Sequence, residues 1–192
     1  MSMKNVYLAS FSPRRQQLLK DLSLDFIVSP PVNFVEKQNG MEPEELVCHN
    51  ALGKAKEVAG RQRDSIIIGC DTLIEAHDEV FGKPLTSEKA FLMLKKLSGS
   101  WHSVYSGLAV IDTEISKELV GYGKTDIKFK ELSEKEIIDY IKTGEPLDKA
   151  GAYGIQEYGG VFVDEIKGSF STVVGLPKGL LVKFLSEVGI RI

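Results

Sequence analysis

The chain has 192 residues, of which 43% are hydrophobic and 27% are charged, a composition typical of a globular protein that needs no disulfide or structural metal. The formal charge of −3 disfavours the broad basic surface of a polynucleotide-binding protein, so an anionic ligand has to meet a local cationic pocket. No apolar stretch approaches the roughly 20 residues of a membrane-spanning helix, and residues 1–8 have no signal-peptide core. With Cys48 and Cys70 as its two cysteines, we expect a soluble, cytoplasmic protein with free thiols and no membrane partner.

Short β-branched runs alternate with segments of helical period, which predicts an α/β or mixed α+β fold. In chain order the predicted elements are a strand at 6–9, a helix capped by Ser12 with Pro13 at its first position, a helix at 43–59, a strand at 65–70, a hairpin at 72–81, a helix at 87–97, strands at 102–111 and 118–129, a helix from the capping box at 133–136 to Gly144, a strand at 161–163 and a helix at 177–188. Because no composition break separates these elements, we expect one domain over residues 1–192, with two lobes around a cleft.

Two arginines stand at the start of the first helix. Arg14 and Arg15 fall in its opening turn, where the helix dipole disfavours each cation by about 0.3 to 1 kcal/mol. An anion at the free N–H groups would offset this repulsion, and Ser10 and Ser12 would add hydroxyl donors. Arginines that simply point into solvent explain the pattern equally well. The glycine spacing of a P-loop or a dinucleotide-binding motif is absent.

An aspartate follows the buried strand at 65–70. At such an edge of an open α/β sheet, Asp71 would hold a divalent metal or accept a proton from water. Taken alone, a turn cap through Thr72 is the better explanation of this carboxylate. Lys83 either aims its ammonium back towards Asp71 or lies in a solvated turn. The histidines have no metal-ligand spacing with one another or with the cysteines, and no serine lies in a nucleophile elbow.

Residues 143–156 mix glycines with polar side chains too irregularly for a helix or a strand. Loops of this kind often carry function. The amide of Gln156 offers both a donor and an acceptor and would read a base edge, while Lys149 would contact phosphate.

Together these segments resemble the Maf family of nucleoside triphosphate pyrophosphatases over nearly the whole chain. The motifs that carry the resemblance lie at 8–15, 54–56, 71–72, 82–84, 97–99 with His102, 148–156 and 174–177. The resemblance implies an inosine-triphosphatase-like fold, with a twisted mixed sheet, flanking helices and a deep cleft between two lobes. It also implies a bound Mg²⁺ or Mn²⁺ ion and often a homodimer.

Within the family, the pattern of Asp71-Thr72 and residues 148–156 is similar to the branch that acts on dTTP and UTP, with modified pyrimidine triphosphates as further candidates. By this resemblance Asp71 is the proton acceptor, and Glu36 and Asp71 hold the metal. The residues implied to select the base are Arg14, Thr72 and Gln156, and those implied to line the phosphate and metal site are Ser10, Arg15, Glu36, Lys54 and Lys83. The chain departs from the family at Val35, where a second acidic residue is usual, and at Glu157, where glycine is common.

The resulting hypothesis is a hydrolase of acid anhydrides that cleaves a nucleoside triphosphate between its α and β phosphates. It would release a nucleoside monophosphate and pyrophosphate and so serve to clean the nucleotide pool. The alternative is a non-catalytic nucleotide-binding regulator of septum formation. A protein that only binds a nucleotide needs cationic groups for the phosphates but no base. The presence of Asp71 together with several cationic residues therefore favours the hydrolase over the non-catalytic regulator.

Overall fold

The computed structural model describes residues 4–192, and within this range seven strands form one mixed sheet. The strands are β1 (Asn5–Leu8), β2 (Ile27–Val28), β3 (Ser65–Ala76), β4 (Glu79–Phe81), β5 (Trp101–Asp112), β6 (Lys117–Phe129) and β7 (Val163–Lys167). The helices are α1 (Pro13–Lys20), α2 (Pro43–Ala59), α3 (Ser87–Leu97), α4 (Glu134–Ile141), α5 (Phe170–Val174) and α6 (Lys178–Glu187). The strand order is β2-β1-β3-β5-β6-β7, with β4 paired to β3. Every helix within residues 4–192 is too short or too polar to span a bilayer.

The chain divides into two compact units. The first contains the described residues up to Asp71, together with Ser106–Gly123 and Gly175–Ile192. The second contains Thr72–Tyr105 and Lys124–Val174. The single domain expected from the sequence stays a prediction.

In the first unit, α2 packs directly on the sheet. Gly69 on β3 and Gly107 on β5 allow the close approach, because a Cβ at either position would lie 2.2 Å from a main-chain oxygen of α2, that of Ala51 or Val47. The apolar cluster beneath the helix contains Ala9, Ala51, Ala55, Val58, Ile67, Ala109 and Ile111. The small side chains and the glycines therefore set the distance between α2 and the strands.

Most predicted elements are confirmed. Helices α2 and α3 cover the predicted residues, the hydroxyl of Ser12 accepts the N–H of Arg15 at the start of α1, and the capping box opens α4. The hairpin is also confirmed, since Ile74 of β3 lies opposite Phe81 of β4. Its turn residues His77 and Asp78 both have positive φ, as a two-residue hairpin turn of type I′ requires.

The predicted end of β3 was wrong. The strand continues through Asp71 to Ala76, because Thr72, Leu73 and Ile74 maintain an extended, largely buried strand that pairs with β4. Asp71 therefore lies inside a strand, and the alternative of a turn cap through Thr72 is also wrong.

Other corrections concern element ends. Helix α4 stops at Ile141 rather than Gly144, because the next turn tightens into hydrogen bonds from Thr143 and Gly144 back to the carbonyls three residues earlier. The predicted strand at 161–163 is largely a 3₁₀ helix, Tyr158–Phe162, which buries Phe162. Short elements β2 and α5 were not predicted, since too few residues carry their pattern.

His102 lies in the aromatic core of the second unit. The rings of Phe129 and Tyr153 meet it edge-on at centroid distances of 4.9 and 5.5 Å. Its Nε2 lies 2.9 Å from the Tyr153 hydroxyl, and Nδ1 is buried without a hydrogen-bond partner in the described part of the chain. Burial lowers the pKa of His102 to about 4.

We expect this histidine to destabilise the fold as the pH falls from about 6.5 to about 4. In that window the unfolded chain binds a proton at the imidazole and the folded chain does not, so the proton favours unfolding. The contribution lost between about pH 7.5 and about pH 4.5 is about 2 to 3 kcal/mol. Urea unfolding at the two pH values measures it.

The control for this prediction is the double variant His102→Phe with Tyr153→Phe, which removes the imidazole and leaves no hydroxyl unpaired. Its free energy of unfolding should fall by about 2 to 3 kcal/mol less than that of the parent over the same pH interval. Equal losses in the two proteins would show that His102 does not titrate in this way.

Candidate active site

Two side chains of α2 hold the carboxylate of Asp71 in the first unit. Lys54 Nζ lies 2.7 Å from Oδ1, and Asn50 Nδ2 donates to Oδ2 at 3.0 Å. Asn50 and Lys54 are separated by about one helical turn, so both face β3. Asp71 is only 8% exposed, and both of its oxygens accept hydrogen bonds, which fixes the direction of the carboxylate.

The ammonium of Lys54 joins two carboxylates. Besides Asp71, it pairs with Glu36 Oε1 at 2.6 Å. Glu36 comes from residues 29–42, which form no helix or strand. Lys54 is buried while Glu36 is exposed. The shared cation offsets the repulsion that the two neighbouring carboxylates would otherwise feel.

Two carboxylates that converge on one cation suit a divalent metal. Mg²⁺ is commonly bound through one or two carboxylates, with substrate phosphates and water as further ligands, and Mn²⁺ also prefers oxygen donors. Glu36 and Asp71 fit this donor set, since one ammonium reaches both of them. Over residues 4–192, no group of three or more His, Cys, Asp and Glu side chains has an arrangement that could hold a metal ion.

A second polar group lies between β1 and α1. Arg15 Nη1 donates to Ser10 Oγ at 3.2 Å, and its Nε donates to the carbonyl of Gly175 at 2.9 Å. Ser10 Oγ also accepts the N–H of Ser12 at 3.2 Å. These bonds hold the guanidinium against the protein, so the solvent-facing alternative is wrong for Arg15. Arg14 is half-buried.

The register of β1 and β3 brings Ser10 and Asp71 to the same edge of the sheet. The two strands are parallel, with Leu8 opposite Ile68. Both chains continue from this pair in the same direction, so Ser10 and Asp71 follow it by two and three residues. The polar groups of α1 and α2 therefore lie at the same edge of the sheet, at the carboxyl end of β1.

The pKa of the Cys70 thiol is affected by the charges of three predicted site residues. Burial raises the pKa of this thiol, and the charges of Arg15 and Lys54 oppose that rise, while the charge of Asp71 adds to it. The guanidinium, the ammonium and the carboxylate thus all act on one buried atom. The first unit brings together five of the predicted site residues: Ser10, Arg15, Glu36, Lys54 and Asp71.

Of the remaining predicted site residues, Arg14 lies on α1 in the first unit, and Thr72, Lys83 and Gln156 belong to the second unit. Thr72 is half-buried on β3, and Lys83 and Gln156 are exposed. The N–H of Gly151 donates to the carbonyl of Gly82 at 3.1 Å, which joins the segment of Lys83 to the 3₁₀ turn that precedes Gln156. The two segments are therefore tied together inside this unit.

A buried carboxylate organises the loop that carries Gln156. Glu145 accepts the hydroxyl of Tyr140 at 2.6 Å and the N–H groups of Tyr158 and Gly159 at 3.0 and 3.1 Å. Burial, and secondly the bond to Glu145, raises the pKa of Tyr140, so the phenol remains a donor. Sequence reasoning missed Glu145, because its partners meet only through irregular turns.

Lys149 belongs to the same network. Its ammonium donates to the carbonyl of Glu145 at 2.9 Å and pairs with Asp148 and Glu157 at 3.0 and 3.3 Å. Lys149 is 6% exposed, and these three oxygens hold its charge in the loop. The predicted phosphate contact of Lys149 stays a prediction, and in this structure the ammonium is held by oxygens of its own loop. Glu157, in the position where the family commonly has glycine, serves as one of its partners.

A family model and curated relatives both match nearly the whole chain. The sequence model described as "Maf-like protein" matches residues 5–188. The chain is 45% identical over 188 residues to the dTTP/UTP pyrophosphatase of Dictyoglomus thermophilum, covering 97% of each. It is 48% identical over 193 residues to that of Clostridium novyi, covering 97% of this chain and 99% of the relative.

Solved structures give the fold. The Ham1 protein of Staphylococcus aureus is similar with a TM-score of 0.53 and 16% identity, over 96% of this chain and all of the Ham1 chain. A Ham1 protein from Coxiella burnetii has a TM-score of 0.52 and 17% identity, over 96% of this chain and all of its own. These likenesses confirm the predicted mixed α/β, inosine-triphosphatase-like fold.

Proposed function

Because the chain belongs to the Maf-like protein family, we propose that it is a nucleoside triphosphate pyrophosphatase that hydrolyses dTTP and UTP. The observation that carries the proposal is the buried carboxylate of Asp71, which shares the ammonium of Lys54 with Glu36. The names of relatives 45% and 48% identical to this chain support the choice of substrate. The products are a nucleoside monophosphate and pyrophosphate, and the role is removal of unwanted nucleotides.

The proposal includes a divalent cation, Mg²⁺ or Mn²⁺, with Glu36 and Asp71 as its protein ligands. When bound, such an ion offsets phosphate charge and lowers the pKa of a coordinated water. Lys54 already lies between these two carboxylates. Its single positive charge offsets one of their two negative charges before substrate arrives, and it is close enough to contact a phosphate that approaches them.

Asp71 acts as the base in the proposed reaction. A carboxylate oxygen accepts more than one hydrogen bond, so Asp71 keeps its bonds to Lys54 and Asn50 while it takes a proton from water. The water oxygen bonds to the α-phosphorus, the bond from that phosphorus to the α–β bridging oxygen breaks, and the electron pair of the broken bond leaves with pyrophosphate. Lys54 and Arg15 stabilise the negative charge that accumulates on the phosphates.

The other assignments follow the resemblance to the family. We assign phosphate binding to Ser10, Arg15 and Lys83 as well as to Lys54. We assign the choice of pyrimidine base to Arg14, Thr72 and Gln156. The proposal also places the protein in the cytoplasm, with a homodimer as its expected assembly and no polynucleotide or membrane partner.

Release of pyrophosphate from a panel of triphosphates tests the proposed function. With Mg²⁺ or Mn²⁺ present, we expect dTTP and UTP to be cleaved at least about tenfold faster than CTP and 7-methyl-GTP, which differ at the base edge or in ring size. Production of the matching monophosphate in equal amount identifies the bond that is cleaved. Binding of dTTP without release of pyrophosphate would contradict the proposed pyrophosphatase activity and support the alternative of a non-catalytic nucleotide-binding regulator.

A further inference from the structure

Asn50 is a buried amide, 2% exposed, that spans two parts of the first unit. Its Oδ1 accepts the N–H of Lys37 at 2.9 Å. Its Nδ2 donates to the carbonyl of Lys37 at 3.0 Å and to Asp71 Oδ2 at 3.0 Å. Both amide hydrogens and the amide oxygen are therefore used, which a hydroxyl or a carboxylate in this position cannot match.

The segment that Asn50 reaches has no sheet partner of its own. Residues 29–42 form no helix or strand. The N–H of Ser29 donates to the carbonyl of Leu8 and the carbonyl of Glu42 accepts the N–H of Leu46, but the main-chain groups between these two residues depend on side chains or water. The carboxylate of Glu57 accepts the N–H groups of residues 32–34 and fixes the start of the segment. Asn50 pairs with both main-chain groups of Lys37 and fixes its later part. Glu36 lies between the two attachments.

We infer that Asn50 is a positioning residue that fixes Glu36 relative to Asp71. The inference rests on the proposed function, in which these two carboxylates hold a divalent cation. One amide binds the main chain next to Glu36 and the side chain of Asp71, so the separation of the two carboxylates depends on it. Without Asn50, Glu36 keeps its bond to Lys54, but its segment loses the side-chain attachment at Lys37 and keeps the one to Glu57 that precedes Glu36.

The variant Asn50→Leu tests the inference in the full chain. Leucine is similar in size and suits a helix, but it removes all three hydrogen bonds without adding charge. We expect the Lys37 amide to lose its protection from hydrogen exchange. Loss of such an outer-shell contact typically weakens metal affinity or activity 10- to 100-fold. We therefore expect the Mn²⁺ concentration for half-maximal dTTP cleavage to rise at least about tenfold, with KM for dTTP at saturating Mn²⁺ changed less than about threefold.

His49→Leu is the matched control, because it makes the same kind of change one position earlier on α2. It should keep the parent's exchange rate at Lys37 and its Mn²⁺ dependence. If Asn50→Leu does not fold, Asn50→Ser provides the same readouts, since its short side chain cannot span Lys37 and Asp71. Unchanged exchange at Lys37, or an unchanged Mn²⁺ requirement in a folded variant, would overturn the inference.

The two proposals fail separately. A parent protein that cleaves no triphosphate contradicts the proposed function, whatever Asn50 does. In that case Mn²⁺ binding, measured directly by electron paramagnetic resonance, replaces the kinetic readout. Hydrogen exchange at Lys37 remains the second readout. Parent-like exchange or parent-like Mn²⁺ affinity in Asn50→Leu, including no measurable affinity in either protein, would then overturn the inference.

Discussion

Replacing Asp71 by asparagine is expected to lower kcat for dTTP about 10²- to 10⁴-fold, the range that a positioned general base contributes. The amide keeps the shape of the side chain but cannot take a proton from water. It also offers only one acceptor oxygen to Lys54 and Asn50, which both donate to the carboxylate in the parent. We therefore also expect a loss of about 1 to 3 kcal/mol in the free energy of unfolding. Pyrophosphate release and urea unfolding measure the two effects.

Asp112→Asn is the matched control. Asp112 is 1% exposed, lies on a strand of the same unit and accepts Lys4 Nζ at 2.9 and 2.7 Å. Its amide variant should lose stability by a similar amount and keep kcat within about twofold, because nothing assigns Asp112 to the reaction. An Asp71→Asn variant that cleaves dTTP at the parental rate with metal present would remove Asp71 from the mechanism.

The contact between α2 and Asp71 was partly visible in the sequence. The helical period of residues 43–59 places Asn50 and Lys54 on the same face as the buried Leu46 and Val47. A polar side chain on a buried face needs a partner, but periodicity does not say which one. The partner was hard to identify because β3 was predicted to end before Asp71, whereas the strand continues beyond it.

Glu36 illustrates what sequence patterns cannot predict. Residues 29–42 have no helical or strand period, so only the family resemblance suggested a role for this residue. Its position depends on bonds from Glu57 and Asn50, which follow it in the chain by more than ten residues. Such tertiary contacts between side chains and main chain leave no local signal. The same holds for Glu145 and its partners in the second unit.

The arginines at the start of α1 show a local conflict that the fold partly resolves. The helix dipole repels a cation there, which suggested a bound anion. The carbonyl of Gly175 accepts Arg15 Nε and supplies part of the negative charge from within the chain. The Ser10 hydroxyl accepts a second N–H of the same guanidinium. Arg15 is thus held in a fixed orientation beside Ser10, as phosphate binding by a preorganised group requires.

Replacing Gly69 by alanine is expected to lower the free energy of unfolding by about 3 kcal/mol, the upper part of the usual range for overpacking. The added Cβ would lie 2.2 Å from the carbonyl oxygen of Ala51 and 2.8 Å from Cβ of Ala55. These atoms belong to the body of α2, so relief of the overlap requires the helix to move away from β3. Asn50 and Lys54 would move with it, away from Asp71.

A displacement of about 1 Å at a catalytic group costs about 10²-fold in rate, so we expect Gly69→Ala to lose activity as well as stability. Urea unfolding and pyrophosphate release at a temperature where the variant is folded separate the two effects. Gly179→Ala on α6 is the control, because a Cβ there meets no atom within 4 Å and alanine in a helix adds up to about 1 kcal/mol. A Gly69→Ala protein with parental stability and rate would show that the catalytic arrangement does not depend on the close packing of α2 against β3.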